Sequence, residues 1–183
     1  DATKRLADLF FGAPHQPHRA ADVASCLRSG ADPDYASRDH DGAPVIMAAA
    51  VHHDDASLRL LLDAGANADA VDGEGYTPLI AAASCGADEC VRLLLRARAD
   101  ANFTPGPSAL RRAVDNGHAE CATALLDAGA RLDDAYFVEP ILISALRYST
   151  CGFGTRCLQL LLDAGARVND ATDDSSTAFS VVI

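Results

Sequence analysis

DGEGYTPLIAAASCGADECVRLLLRARADAN, residues 72–102, decides the fold. Thr77 brings a hydroxyl that can accept from the free amides at a helix start. Pro78 suits the first helical position, where its missing N–H costs nothing. A short Ala-rich helix follows (Ala81, Ala82, Ala83), slim enough for close approach by a neighbour, and Gly86 ends it. Cys90, Val91, Leu93, Leu94 and Leu95 then recur at helical spacing as the apolar face of a second helix. Neither helix buries that face alone, so the unit needs similar units packed against it.

Such units are present. LLDAGA occurs at 61–66, 125–130 and 161–166, and CLRSGAD at 26–32 is a degenerate version. With Arg98 standing in for the glycine of the central unit, the marker positions are 30, 65, 98, 129 and 165. Their steps of 35, 33, 31 and 36 average 33.75 residues. Self-similarity at this period marks a solenoid of stacked supersecondary units. The glycine fits the left-handed residue just past a helix end.

TPLIAAA at 77–83, NGHAEC at 116–121 and the recurring LLDAGA together resemble the ankyrin repeat, whose period is about 33 residues. The resemblance covers nearly the whole chain. It implies an all-α ankyrin-repeat solenoid of helix–turn–helix units with short β-hairpin or loop fingers. The array then comprises a capping repeat at 1–35 and repeats at 36–70, 71–102 and 103–133, followed by 134–170 with a turn insertion and a truncated repeat at 171–183.

The same resemblance implies a non-catalytic role in protein–protein interaction, with no cofactor. The chain would act either as a free-standing adaptor or as a regulatory or substrate-recruiting input domain of a larger enzyme, ion channel or ubiquitin-ligase subunit. Partners of such stacks meet the finger tips and the inner face of the first helices. Matched onto this chain, that surface includes Arg38, His40, His52, Glu74, Tyr76, Ile80, Phe103, Arg111, Arg112, Asp115, Tyr136, Arg147 and Tyr148. Tyr76, Phe103, Arg112, Tyr136 and Tyr148 are the expected anchors, because aromatic and Arg side chains dominate binding energy at interfaces. Asn102 and Asn169 match the finger asparagine that some members of the family carry hydroxylated.

Charge and composition narrow the partners. A net charge of −11 and a pI near 4.7 disfavour nucleic acid, which is bound by neutralising phosphates with Lys and Arg, and disfavour anionic membrane surfaces likewise. No apolar run approaches the roughly 20 residues of a membrane span, and the start lacks a signal-peptide layout. Asp34, Asp39, Asp41, Asp69, Asp72, Glu74, Asp133, Asp134, Asp170, Asp173 and Asp174 fall in or near fingers. They either steer a basic protein partner or serve turn chemistry and solubility. The chain starts without Met and stops inside a repeat, so a segment of a longer protein is expected.

Six cysteines raise the question of disulfides. Cys90, Cys121 and Cys157 occupy one place in three successive second helices, and Cys26 stands where other repeats have Leu, which is the pattern of a small buried apolar side chain. Stacked helices lie about 8–10 Å apart, too far for a bridge. A reduced, cytoplasmic or nuclear setting is expected.

The irregularities are local. Helices are expected at 3–11 and 19–28, joined by the Pro-rich GAPHQPH. In the first full repeat, Ala43-Pro44-Val45 takes the place of Thr77-Pro78-Leu79, so the capping hydroxyl is missing and the turn at His52-His53-Asp54-Asp55 reads one residue longer than its successor. A left-handed Arg98 costs roughly 1 kcal/mol, so its turn is either strained or reshaped. The finger after it, Phe103-Thr104-Pro105-Gly106-Pro107, is short and carries two prolines, making 96–108 the expected weak seam. Repeats three and four start at Ser108-Ala109-Leu110 and Glu139-Pro140-Ile141, and the stretch 148–155 holds an insertion of about five residues against the family period.

No stretch supports catalysis. His52-His53-Asp54-Asp55 contains metal-ligand types, but neighbours on a helix point apart and no zinc-type spacing occurs. Gly152-Phe153-Gly154 lacks the Lys-Ser/Thr of a phosphate loop, and no nucleophile elbow is found.

Overall fold

The computed structural model describes residues 1–12, 19–103, 106–132, 140–149 and 154–167, with 147–149 and 154 described by backbone alone. Among the described residues the architecture is all-α apart from one small hairpin. The chain forms two compact units, residues 1–82 with 89–100 and residues 83–88 with 101–183.

In the first unit, α1 (Ala2–Phe11) packs on α2 (Arg19–Arg28), close to the helices expected at both places. A finger follows: β1 (Ala36–Ser37) pairs antiparallel with β2 (Ala43–Pro44), Ala36 opposite Pro44 and Ser37 opposite Ala43. Next come α3 (Val45–Val51) and α4 (Asp55–Asp63), which pack on each other. First helices meet first helices (α1 with α3) and second meet second (α2 with α4), the contact pattern of a stack. Leu6, Phe10, Val23, Ile46, Leu58 and Leu61 fill the space between them. Helix α5 (Pro78–Cys85) and helix α6 (Asp88–Arg96) supply Leu79 and Leu94 to the buried set.

In the second unit, α7 (Ala109–Asp115) pairs with α8 (Ala119–Asp127) and α9 (Ile141–Ser149) with α10 (Gly154–Asp163). Helix α7 also meets α9, and α8 meets α10. Leu110, Val114, Leu125, Ile143 and Leu161 are fully buried. The side chains of Cys26, Cys90, Cys121 and Cys157 are buried, as expected, while that of Cys85 is exposed.

The helix ends follow one rule. Gly30, Gly65, Gly129 and Gly165 hold φ of 82°, 90°, 84° and 88°. Arg98 joins them at 69°, so the strained alternative holds. Its turn keeps its shape: Ala99 N donates to Leu94 O at 3.0 Å and Arg98 N to Leu95 O at 3.1 Å, matching Ala66 N to Leu61 O and Gly65 N to Leu62 O at 3.0 Å each. These paired bonds satisfy the last carbonyls of the helix, which outweighs the side-chain strain.

One expected register is corrected. Ile46, Met47, Ala48, Ala49 and Ala50 are buried in the same order as Leu79, Ile80, Ala81, Ala82 and Ala83, a shift of 33 residues (79 − 46). Pro44 therefore corresponds to Thr77, and Val45 to Pro78. Pro44 is the N-cap of α3 at φ −67° and ψ 147° and makes no side-chain capping bond. A proline ring suits this extended cap as well as the first helical position, so sequence does not separate the two. The turn is nevertheless one residue longer, as expected: 52–54 separate α3 from α4 against 86–87 between the next two helices, because α3 ends one place earlier in the register. His53, Gly86 and Gly117 all have positive φ and each precedes the next marker by 12 residues (65 − 53, 98 − 86, 129 − 117). Pro140 likewise stands one residue ahead of α9.

Candidate interaction surface

The fingers are built from side chains bonding to backbone. Asp72 Oδ1 accepts from Glu74 N at 3.0 Å and Tyr76 N at 2.9 Å, while Asp32 and Asn67 bind the amide two residues on. These are Asx turns, in which a short polar side chain replaces a missing backbone partner. A second set ties one finger to the next. Asp34 Oδ1 accepts from Asn67 N at 2.7 Å and Asp69 Oδ1 from Asp100 N at 2.9 Å. Thr3 Oγ1 takes the acceptor's part at the start of the chain, toward Asp32 N at 3.0 Å.

In the second unit Asn102 does this twice, accepting from Arg131 N at 2.8 Å and donating to Gly129 O at 3.1 Å. The signal was in the sequence: each helix-ending turn is followed by Ala, a polar or charged residue, any residue, then Asp or Asn, as in Ala66-Asn67-Ala68-Asp69 and Ala99-Asp100-Ala101-Asn102. Asp72 is thus engaged in turn chemistry, the second of the two roles considered for the acidic row, while Asp34 and Asp69 staple adjacent fingers, a role not among those two.

Beyond those residues the first unit's fingers expose unengaged charge. Arg38 and His40 lie in the 3-10 turn Arg38–His40 at the hairpin tip, both exposed, with Asp39 and Asp41 beside them. The His40 ring stacks on Phe11 at 4.7 Å and its Nδ1 lies 2.9 Å from Ser37 Oγ, so it is held from within. Gly73 N donates to Asp41 O, joining the first two finger tips. Glu74 is exposed and Tyr76 half-buried. His52 is exposed at the end of α3.

Two expected residues are corrected. Ile80 is only 1 % exposed and packs in the core, where the equivalent Met47 also lies. Arg111 follows at the same helix position and is 3 % exposed, its Nε 3.1 and 3.2 Å from the two Asp115 oxygens. Ser144 donates to the same Asp115 carboxylate, which couples α7 to α9. This helix position faces inward because it lies one helical turn from the other buried residues, so neither side chain has area to offer a partner. Arg112 is half-buried, and Phe103 is 37 % exposed in the second unit. Tyr136 and the side chains of Arg147 and Tyr148 lie outside the described residues, as do Asn169 and the insertion centred on 150–153.

The inter-helix turns also carry contacts not expected from sequence. Asn116 Nδ2 donates to Ser84 O at 3.1 Å, and His118 Nε2 lies 3.2 Å from the same carbonyl, which requires the Nε2–H tautomer because a carbonyl only accepts. The His118 ring covers Gly86 closely enough that a Cβ there would sit 2.5 Å from Nδ1. Burial pushes the Cys157 thiol above its ordinary pKa, with Glu120 adding to the rise and Arg156 opposing it, and desolvation alone does the same to Cys85. Among the described residues no helix is long and apolar enough to cross a membrane.

No curated protein matches the chain. A family model described as "Ankyrin repeats (3 copies)" matches residues 18–105 and again 45–136, together 119 of the 183 residues (136 − 17). Stacked helix pairs, left-handed helix ends, finger staples and this match agree: the chain belongs to the ankyrin-repeat family.

Proposed function

We propose that this chain is a non-catalytic module that grips a partner polypeptide through its finger tips, and that the partner presents a basic segment. Ankyrin repeats are generally protein–protein interaction modules, and the all-α solenoid seen here is of that class. The observation that carries the finer reading is at the first two fingers. Asp39, Asp41 and Glu74 are exposed with Arg38 on a backbone already tied by the hairpin and the Asp41–Gly73 bond, a formal tip charge of −2 (three carboxylates, one guanidinium). A preorganised charged edge spends little entropy on binding and speeds association with an oppositely charged partner. Half-buried Tyr76 and exposed Phe103 are the proposed aromatic anchors of their respective units.

The test is an array of Lys/Arg-rich and charge-neutral peptides probed with the intact chain, followed by binding kinetics of the strongest peptide at low and high salt. Basic peptides should bind preferentially, and reversing Asp39, Asp41 and Glu74 to Lys should slow association at least tenfold at low salt. Reversing Asp22 and Asp55, on second helices, should leave it unchanged. Equal binding of neutral peptides, or indifference to the finger reversals, would overturn the proposal.

A further inference from the structure

No further inference is drawn: the strongest candidate, the cluster of Arg19, Asp54 and Ser57 where α2 meets the start of α4, leaves Arg19 Nε and Nη2 and Ser57 Oγ without hydrogen-bond partners among the described residues, but those atoms are buried, so nothing in the structure shows what would occupy it.

Discussion

Replacing Arg98 by glycine asks whether the left-handed end of α6 stores strain that the other repeats avoid. At φ 69° an L side chain crowds the following carbonyl, costing roughly 1–2 kcal/mol. Glycine removes that cost but enlarges the unfolded ensemble by about 0.4–1 kcal/mol, leaving a net gain of roughly 0.5–1 kcal/mol. Arg98 also places a cation near a helix C-terminus, worth about 0.3–1 kcal/mol, so Arg98→Ala is the necessary control: it loses the charge and keeps the strain. Arg98→Gly should exceed Arg98→Ala in stability by about 1 kcal/mol in urea unfolding followed by circular dichroism. Gly65→Ala supplies the mirror experiment. Its φ is 90° and an added Cβ would meet nothing within 4 Å, so a net loss of about 0.5–1 kcal/mol there is the dihedral cost less the gain from a smaller unfolded ensemble. If Arg98→Gly and Arg98→Ala prove equally stable while Gly65→Ala is harmless, the strain argument fails.

Three further outcomes are expected. Gly86→Ala should cost about 2–3 kcal/mol, combining a left-handed alanine with displacement of the His118 ring from its bond to Ser84; in a His118→Ala background only the dihedral part should remain, and a full cost there would refute the contact. Arg19 is 6 % exposed, 3.8 Å from Asp54 and 5.3 Å from the Phe10 ring, with two nitrogens that find no hydrogen-bond partner among the described residues. Arg19→Met should therefore be neutral or stabilising by thermal melting, whereas Asp54→Ala should lose about 2–4 kcal/mol by removing the α4 cap and stranding a buried cation; the reverse order would count against this. Finally, the Cys157 thiol has a folded pKa raised above its ordinary value of 9.0. The unfolded chain ionises first, so stability is complete below pH 9 and declines as pH rises beyond it. Cys157→Ala should flatten that alkaline decline, and an unchanged slope would exclude the thiol as its source.

Residue patterns and tertiary placement contributed differently. The marker glycines, the Ala-rich first helices and the Cys and Leu faces of the second helices state their conformation locally, through backbone freedom and a 3.6-residue period. That is why the repeat and its cysteines in the core were readable, whereas at Arg98 strain and a reshaped turn stayed open until the backbone gave φ 69°. The two prolines were not. Pro44 and Pro140 look like first-turn residues, and only burial matched residue by residue shows that Pro44 occupies the cap. The surface was least legible. Ile80 and Arg111 were assigned to it by motif position, yet which side of a short helix faces a neighbour depends on how the stack is packed.

The finger carboxylates show the division most clearly. Sequence alone established that acidic residues gather in and near the fingers of a recurring unit that resembles the ankyrin repeat. It left open what each one does, since an aspartate that solubilises, one that closes a turn and one that staples two repeats carry the same side chain. Tertiary structure decided this by bringing backbone amides some 30 residues away within 2.7–2.9 Å of Asp34, Asp69 and Asn102, while leaving Asp39, Asp41 and Glu74 facing solvent. The physical reason is that a repeat encodes its own helices locally, whereas a bond between repeats exists only once the stack has formed.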